Sequence, residues 1–105
     1  MSIQDLKLLA KQKYEGYRQS DIDKSLSLFP AFTNFQVTVE KQIAEGDEVA
    51  SYWIMRGTHT GEYLGIPPSG RDISLSGIAI DRLSNGKLSE VCSVTDFQEF
   101  LLRLA

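Results

Sequence analysis

The chain lacks the raw material for several familiar kinds of site. It has one cysteine, Cys92, so no internal disulfide framework can form, and a single thiol fits a reducing compartment. It has one histidine, His59. One His and one Cys do not make a credible metal site, because zinc and its relatives draw three or four ligands from such side chains. No apolar run approaches the ~20 residues that cross a bilayer. The start, MSIQDLKLLAKQK, is amphipathic rather than a continuous apolar core ahead of a cleavage site. Lysine and arginine are scattered and the net charge is −3, which argues against nucleic acid as a partner. A cytoplasmic protein, with no membrane contact and no nucleic acid bound, is expected.

What is present fits one domain of 105 residues. Leu6, Leu9, Ala10, Lys13, Tyr14 and Tyr17 recur at three- and four-residue spacing, so a helix is expected from Ile3 to about Gln19, capped by Ser2 with Asp5. A second helix is expected from Ser20, with Ile22, Leu26 and Phe29 on its apolar face, until Pro30 stops it. From Asn34 the period becomes two, with Phe35, Val37 and Val39 on one side. EVASYWIMRGTHT reads as a second strand, RDISLSGIAIDRL as a third and LSEVCSVTD as a fourth. Gly46-Asp47 and Asn85-Gly86 supply the hairpin turns, the latter with a type I′ signal. FQEFLLRLA closes the chain as a short helix. The result is an α+β plan: an antiparallel meander of about four strands with helices packed on one face.

The second and third strands are apolar on both faces. Val49, Trp53 and Met55 oppose Ala50, Tyr52 and Ile54, and Ile73 and Leu75 oppose Ile78 and Ile80. Helices cover one face only, so the outer face is expected to be covered by a second copy, giving a homodimer.

The segments EGDEV, RGTHTGEYLGIPPSGR and SGIAIDRLSNGKLSE, followed by Asp96, stand in one order and spacing. Together they resemble the SnoaL-like polyketide cyclase (ester cyclase-like) family, within the nuclear transport factor 2-like superfamily. The resemblance covers Ala44 to Asp96, with a weaker extension upstream in AFTNFQVTVE. It implies a cone-shaped curved antiparallel sheet, the cystatin-like roll, with helices enclosing a pocket for a small apolar ligand. It makes residues 1–105 one such domain with a shortened N-terminal half. It also implies a cofactor-independent ring closure or isomerisation of a carbonyl compound, with Asp96 as general acid/base. Two departures stand out. Val91-Cys92 occupies the place of the family's His-Trp, and Ser20 to Phe32 runs almost straight into the sheet. These departures favour an alternative, a non-catalytic module that binds a ligand or a protein on the same fold.

The residues themselves leave several roles open. If the last strand is regular, Asp96 shares a face with Leu88, Cys92 and Val94, and a carboxylate among apolar groups suits proton transfer. Asp96 also precedes FQEFLLRLA with Glu99 three residues on, the spacing of a capping box. His59 could accept a proton or orient a carboxylate, or serve only structure. Arg56 and Tyr63 can donate to a carbonyl or enolate oxygen, while Arg56 can instead pair with Glu62, Asp72 or Glu90. Trp53 and Met55 can line an apolar pocket or pack in the core. The glycines of GEYLG match neither a phosphate loop nor a dinucleotide fingerprint. The stretch RGTHTGEYLGIPPSG is read as a shaped connection at the mouth of the pocket, with Gly61 and Gly65 supplying unusual backbone angles.

Overall fold

A computed structural model describes residues 2–16 and 32–104, without the side chains of Phe35 and Leu104. Its elements are α1 (Ile3–Glu15), β1 (Phe32–Glu45), β2 (Glu48–His59), β3 (Asp72–Ser84), β4 (Lys87–Thr95) and α2 (Phe97–Leu104). The expected second helix lies outside the described residues. The four strands form one antiparallel sheet in the order β1-β2-β3-β4, as the meander pattern requires.

The helix begins where the capping residues place it. Ser2 Oγ accepts the Asp5 N–H at 3.1 Å and the Asp5 carboxylate accepts the Ser2 N–H at 3.3 Å, which satisfies two donors the helix cannot satisfy itself. Its C-cap is Gly16. The face carrying Leu6, Ala10 and Tyr14 is buried on the sheet, where Leu6 and Ala10 pack with Val49, Ala44, Leu83 and Leu88. The hairpin turns are as expected: Gly46 has φ 61°, and Asn85 and Gly86 have φ 52° and 75°, the paired positive angles of a type I′ turn.

Alternation sorts the sheet residues into two faces. The helix-facing side carries Val37, Met55, Leu75 and Ala79, all buried, and joins them to Tyr14, Phe32, Tyr63 and Phe100 in the main core. The outer side carries Ile43, Tyr52, Ile78 and Val94, with 64%, 38%, 46% and 70% of their surface exposed. The chain therefore has an apolar face that α1 and α2 leave open. Gly77 shows why one central position cannot bear a side chain. A Cβ there would lie 2.6 Å from Trp53 Cζ2 and 2.7 Å from the Val94 carbonyl oxygen, so Trp53 occupies the space that a side chain at this position would need.

Two bulges alter the expected faces. On β1 the register slips between Val39 and Lys41, so Glu40 is an extra residue. On β4, Ile80 pairs with Cys92 while Asp81 pairs with Glu90, which leaves Val91 as the extra residue. A bulge inverts the alternation beyond it. Leu88 thus faces α1, but Cys92 and Val94 face outward. The expectation that Asp96 shares a face with Leu88 fails for this reason. Asp96 continues the outer row with Cys92 and Val94.

Candidate functional site

The inner end of the sheet is built around His59. Its side chain is fully buried and stacks on Phe32 with centroids 5.2 Å apart. Phe32 meets Tyr63 edge-on at 5.3 Å and Phe100 at 5.6 Å. Nδ1 of His59 accepts the Ser69 N–H at 3.3 Å and lies 3.1 Å from Ser69 Oγ. The backbone adds two bonds, from His59 N–H to the Arg71 carbonyl (2.9 Å) and from Gly70 N–H to the His59 carbonyl (2.8 Å). Nε2 is buried and has no partner among the described residues. Between these anchors the loop folds on itself. Tyr63 and Ile66 exchange both backbone hydrogen bonds, at 2.9 and 3.0 Å. The turn between them uses Leu64 (φ 49°) and Gly65 (φ 81°), so Leu64, not Gly61, takes the second left-handed angle.

Met55 lines a narrow apolar crevice with Phe32, Gly57, Ile73, Leu75 and Phe100 that has no room for a water molecule. Tyr63 is buried beside it, and burial pushes its phenol above the usual 10.0. Trp53 is half-buried over Gly77. His59, Met55, Tyr63 and Trp53 all belong to the inner side of the sheet.

Asp96 and Arg56 lie on the other face. Asp96 Oδ1 accepts the Ser76 N–H at 2.8 Å, and Oδ2 accepts the Ser76 hydroxyl at 2.9 Å. The Asp96 N–H donates to the Ser76 carbonyl at 2.9 Å. The carboxylate thus turns to β3 rather than back over the first turn of α2. Glu99 instead bonds Arg103 at 3.0 Å. Arg103 Nη1 stands 3.9 Å from Asp96 Oδ2 and donates to the Ser74 carbonyl at 3.4 Å. About 30% of the Asp96 side chain stays open.

Beside this carboxylate runs an open groove of about 700 Å³, lined by Arg56, Arg71, Asp72, Ile73, Ser74, Leu102 and Arg103. It forms because β4 stops at Thr95 while β3 begins at Asp72, so α2 takes the place of a strand along the free edge. Ser74 in the groove and Ser76 under Asp96 are two residues apart on one face, about 7 Å. Arg56 pairs with Glu40 at 3.8 Å, not with Glu62, Asp72 or Glu90, because Glu40 shares the outer face with Thr38 and Gln36, the latter the cross-strand partner of Arg56. His59 and Asp96 do not meet: from Arg71 to Ser76 is five strand residues, roughly 16 Å.

One cluster was not singled out by sequence reasoning. Asp81 on β3 is fully buried. Its oxygens accept from Lys13 Nζ at 2.5 Å and Tyr14 OH at 2.6 Å, both on α1. The signal was present in the parity of GIAID, which puts Asp81 on the same face as Leu75 and Ala79. Arg71 and Arg103 were also passed over, since nothing local marks them as neighbours. Among the described residues, no group of three or more His, Cys, Asp or Glu is placed to hold a metal ion, and no helix is long and apolar enough to cross a membrane.

A family model described as SnoaL-like polyketide cyclase matches residues 15–104. Among solved structures, AclR, a candidate hydroxylase from Streptomyces galilaeus, is 30% identical with a TM-score of 0.68, over 84% of this chain and 59% of its own. IdmH, a candidate polyketide cyclase from Streptomyces antibioticus, is 29% identical with a TM-score of 0.66, over 75% of this chain and 56% of its own. TsrD from Streptomyces laurentii covers 97% of this chain and 92% of its own at a TM-score of 0.68, but at 20% identity the likeness is one of fold. No curated protein matches the chain. The match to AclR and IdmH thus spans less than two thirds of the length of each. The α+β cone of the nuclear transport factor 2-like fold is the fold of this chain.

Proposed function

The chain belongs to the SnoaL-like polyketide cyclase family, and on that premise we propose that it acts on an apolar carbonyl compound as a cyclase or isomerase, with Asp96 moving the proton. One observation carries the reading. Asp96 is a carboxylate held in one orientation by the N–H and hydroxyl of Ser76, partly open, at the rim of a groove that offers both guanidinium and apolar surface. Each carboxylate oxygen keeps a free lone pair. Proton abstraction next to a carbonyl needs such a base and a donor for the enolate oxygen that forms. Arg103 and Arg56 line the groove as donors, and Ile73 and Leu102 meet the apolar body. No cofactor enters the reaction. On the inner side, Met55, Tyr63 and Trp53 belong to the core under the sheet and His59 is buried beside them; in our reading these four support the strands that carry the groove. The test is hydrogen–deuterium exchange at the α-carbon of an apolar β-keto ester, followed by NMR. Asp96→Asn should slow exchange about 10²-fold or more and leave binding nearly unchanged. Equal rates in variant and parent would remove Asp96 from the chemistry.

A second reading, a non-catalytic ligand-binding module, draws on Val91-Cys92 in place of His-Trp and on the bond that each Asp96 oxygen already makes to Ser76. Retained binding of the β-keto ester with no exchange above the buffer rate in the parent protein would favour it.

The same fold leaves the outer patch of Ile43, Tyr52, Ile78 and Val94 exposed, and its occupant in our reading is a second copy of the chain. In the interior of the patch the neighbours are Ala50, Ile54, Ile80 and Cys92. On the β1 side the exposed Lys41 stands opposite Tyr52, so a copy related by a two-fold axis seats its apolar residues over β3 and β4 and leaves Lys41 at the rim. The groove begins at Ser74, four residues along β3 from Ile78 and about 13 Å away, so the pairing must seat the copy toward the Ile43 and Ile80 end of the face.

A further inference from the structure

We propose that the groove beside Asp96 is an anion-recognising subsite, and that the ligand carries a carboxylate on an apolar body. The inference rests on placing the reaction at this groove and adds the chemical class of its substrate. The chain is acidic, with 14 Asp and Glu against 11 Lys and Arg. Yet three of its five arginines, Arg56, Arg71 and Arg103, line this one groove. Glu40, Asp96 and Glu99 stand against two of these guanidiniums, so the capacity to take an anion is concentrated at the third, Arg71.

The three guanidiniums differ in how far they are committed. Arg103 is bound to Glu99 at 3.0 Å and stands beside Asp96, so it is a fixed wall. Arg56 holds Glu40 only at 3.8 Å in an exposed pair, a contact of little energy that an incoming carboxylate can replace. Arg71 has no ion-pair partner among the described residues. The one acidic lining residue, Asp72, has Oδ1 occupied by the Thr58 hydroxyl at 2.9 Å. Both backbone polar groups of Arg71 are held. Its carbonyl accepts from His59, and its N–H donates to Ser69 Oγ at 3.3 Å, while Ser69 is itself fixed on the His59 ring. The buried imidazole therefore acts as a positioning residue that sets where Arg71 leaves the sheet. A free guanidinium on an anchored stem is suited to bidentate capture of a carboxylate. Ile73 and Leu102 beside it supply the surface for an apolar skeleton.

The test uses 2-naphthoate and its neutral methyl ester, titrated calorimetrically into the full chain at low salt and at about 0.2 M salt. The acid should bind about tenfold more tightly than the ester at low salt, and the difference should shrink at high salt. Arg71→Gln should abolish the preference. Arg82→Gln, which removes the same charge from the exposed pair with Glu48 at the far end of β3, should keep it. Asp96→Asn should also keep it, so loss of exchange with retained acid preference separates this inference from the acid/base role. Equal affinity for acid and ester overturns the inference. So does the absence of saturable binding, or an equal loss in Arg71→Gln and Arg82→Gln.

Discussion

The Ser69 N–H donates to Nδ1 of His59 at 3.3 Å, and that bond decides which nitrogen of the ring carries hydrogen. With Nδ1 accepting, the neutral imidazole holds its proton on Nε2. That N–H is then buried without a partner among the described residues, a cost offset by stacking on Phe32 and by the loop bonds that His59 organises. His59→Ala should therefore lose about 3 kcal/mol of unfolding free energy in urea, as for deletion of other large buried side chains. It should also relax the Ser69–Arg71 segment, seen as faster amide exchange at Gly70 and Arg71. A loss below about 0.5 kcal/mol would show that the ring is not what holds the loop.

The Lys13–Asp81 pair predicts an asymmetric result. The Lys13 side chain is 30% exposed and that of Asp81 is fully buried. Removing the carboxylate in Asp81→Asn lets Lys13 swing to water, so the cost should be about 1–2 kcal/mol. Removing the cation in Lys13→Met strands a buried carboxylate with Tyr14 alone, and the cost should be about 3 kcal/mol. Chemical denaturation of the two single variants checks the order. Equal costs would mean that the buried carboxylate is not stabilised by the lysine.

Much of the fold could be read from the residues because it depends on local rules. Ser2 with Asp5, Asn85-Gly86 and the two-sided apolar pattern of VASYWIM each state their structure within a few positions. The bulges at Glu40 and Val91 could not be read that way. A bulge is a property of two strands in register, and a single extra residue looks like ordinary strand in one dimension. That one residue moved Asp96 to the outer face and split the candidate site between the two faces of the sheet. The groove was equally hidden, since Arg56, Arg71 and Arg103 come together only when α2 replaces a strand along β3.

Gly77 offers a sharp packing prediction. Gly77→Ala places a methyl group 2.6 Å from Trp53 Cζ2 and 2.7 Å from the Val94 carbonyl. The indole must tilt or β4 must move away, and overpacking of this kind costs about 1–3 kcal/mol. Trp53 is the only tryptophan, so its fluorescence maximum and near-ultraviolet dichroism report the tilt directly. An unchanged spectrum with unchanged stability would contradict the contact.

The phenol of Tyr63 gives a pH dependence with a definite sign. Burial raises its pKa above 10.0 in the folded chain, while the unfolded chain ionises near the ordinary value of about 10. Between the two, the unfolded state has lost the proton and the folded state keeps it, so unfolding becomes easier as pH rises. The contribution is complete below about pH 10 and is lost as pH climbs through the folded pKa. Tyr63→Phe should remove that part of the alkaline decline in unfolding free energy, and should delete the late-ionising component from a spectrophotometric titration. A late component that survives in the variant would assign it to another tyrosine.

The outer patch makes the assembly testable. Ile78 and Val94 are cross-strand partners and both belong to the exposed apolar face. If a second copy covers them, Ile78→Asp places like charges opposite each other across the two-fold axis and buries both. Sedimentation velocity should then show a dimer in the parent and a monomer in the variant at the same concentration. The variant's circular dichroism should stay native, because the side chain is 46% exposed in the single chain. A parent that sediments as a monomer at every concentration would reject the pairing. A dimer that survives Ile78→Asp would place the interface away from this face.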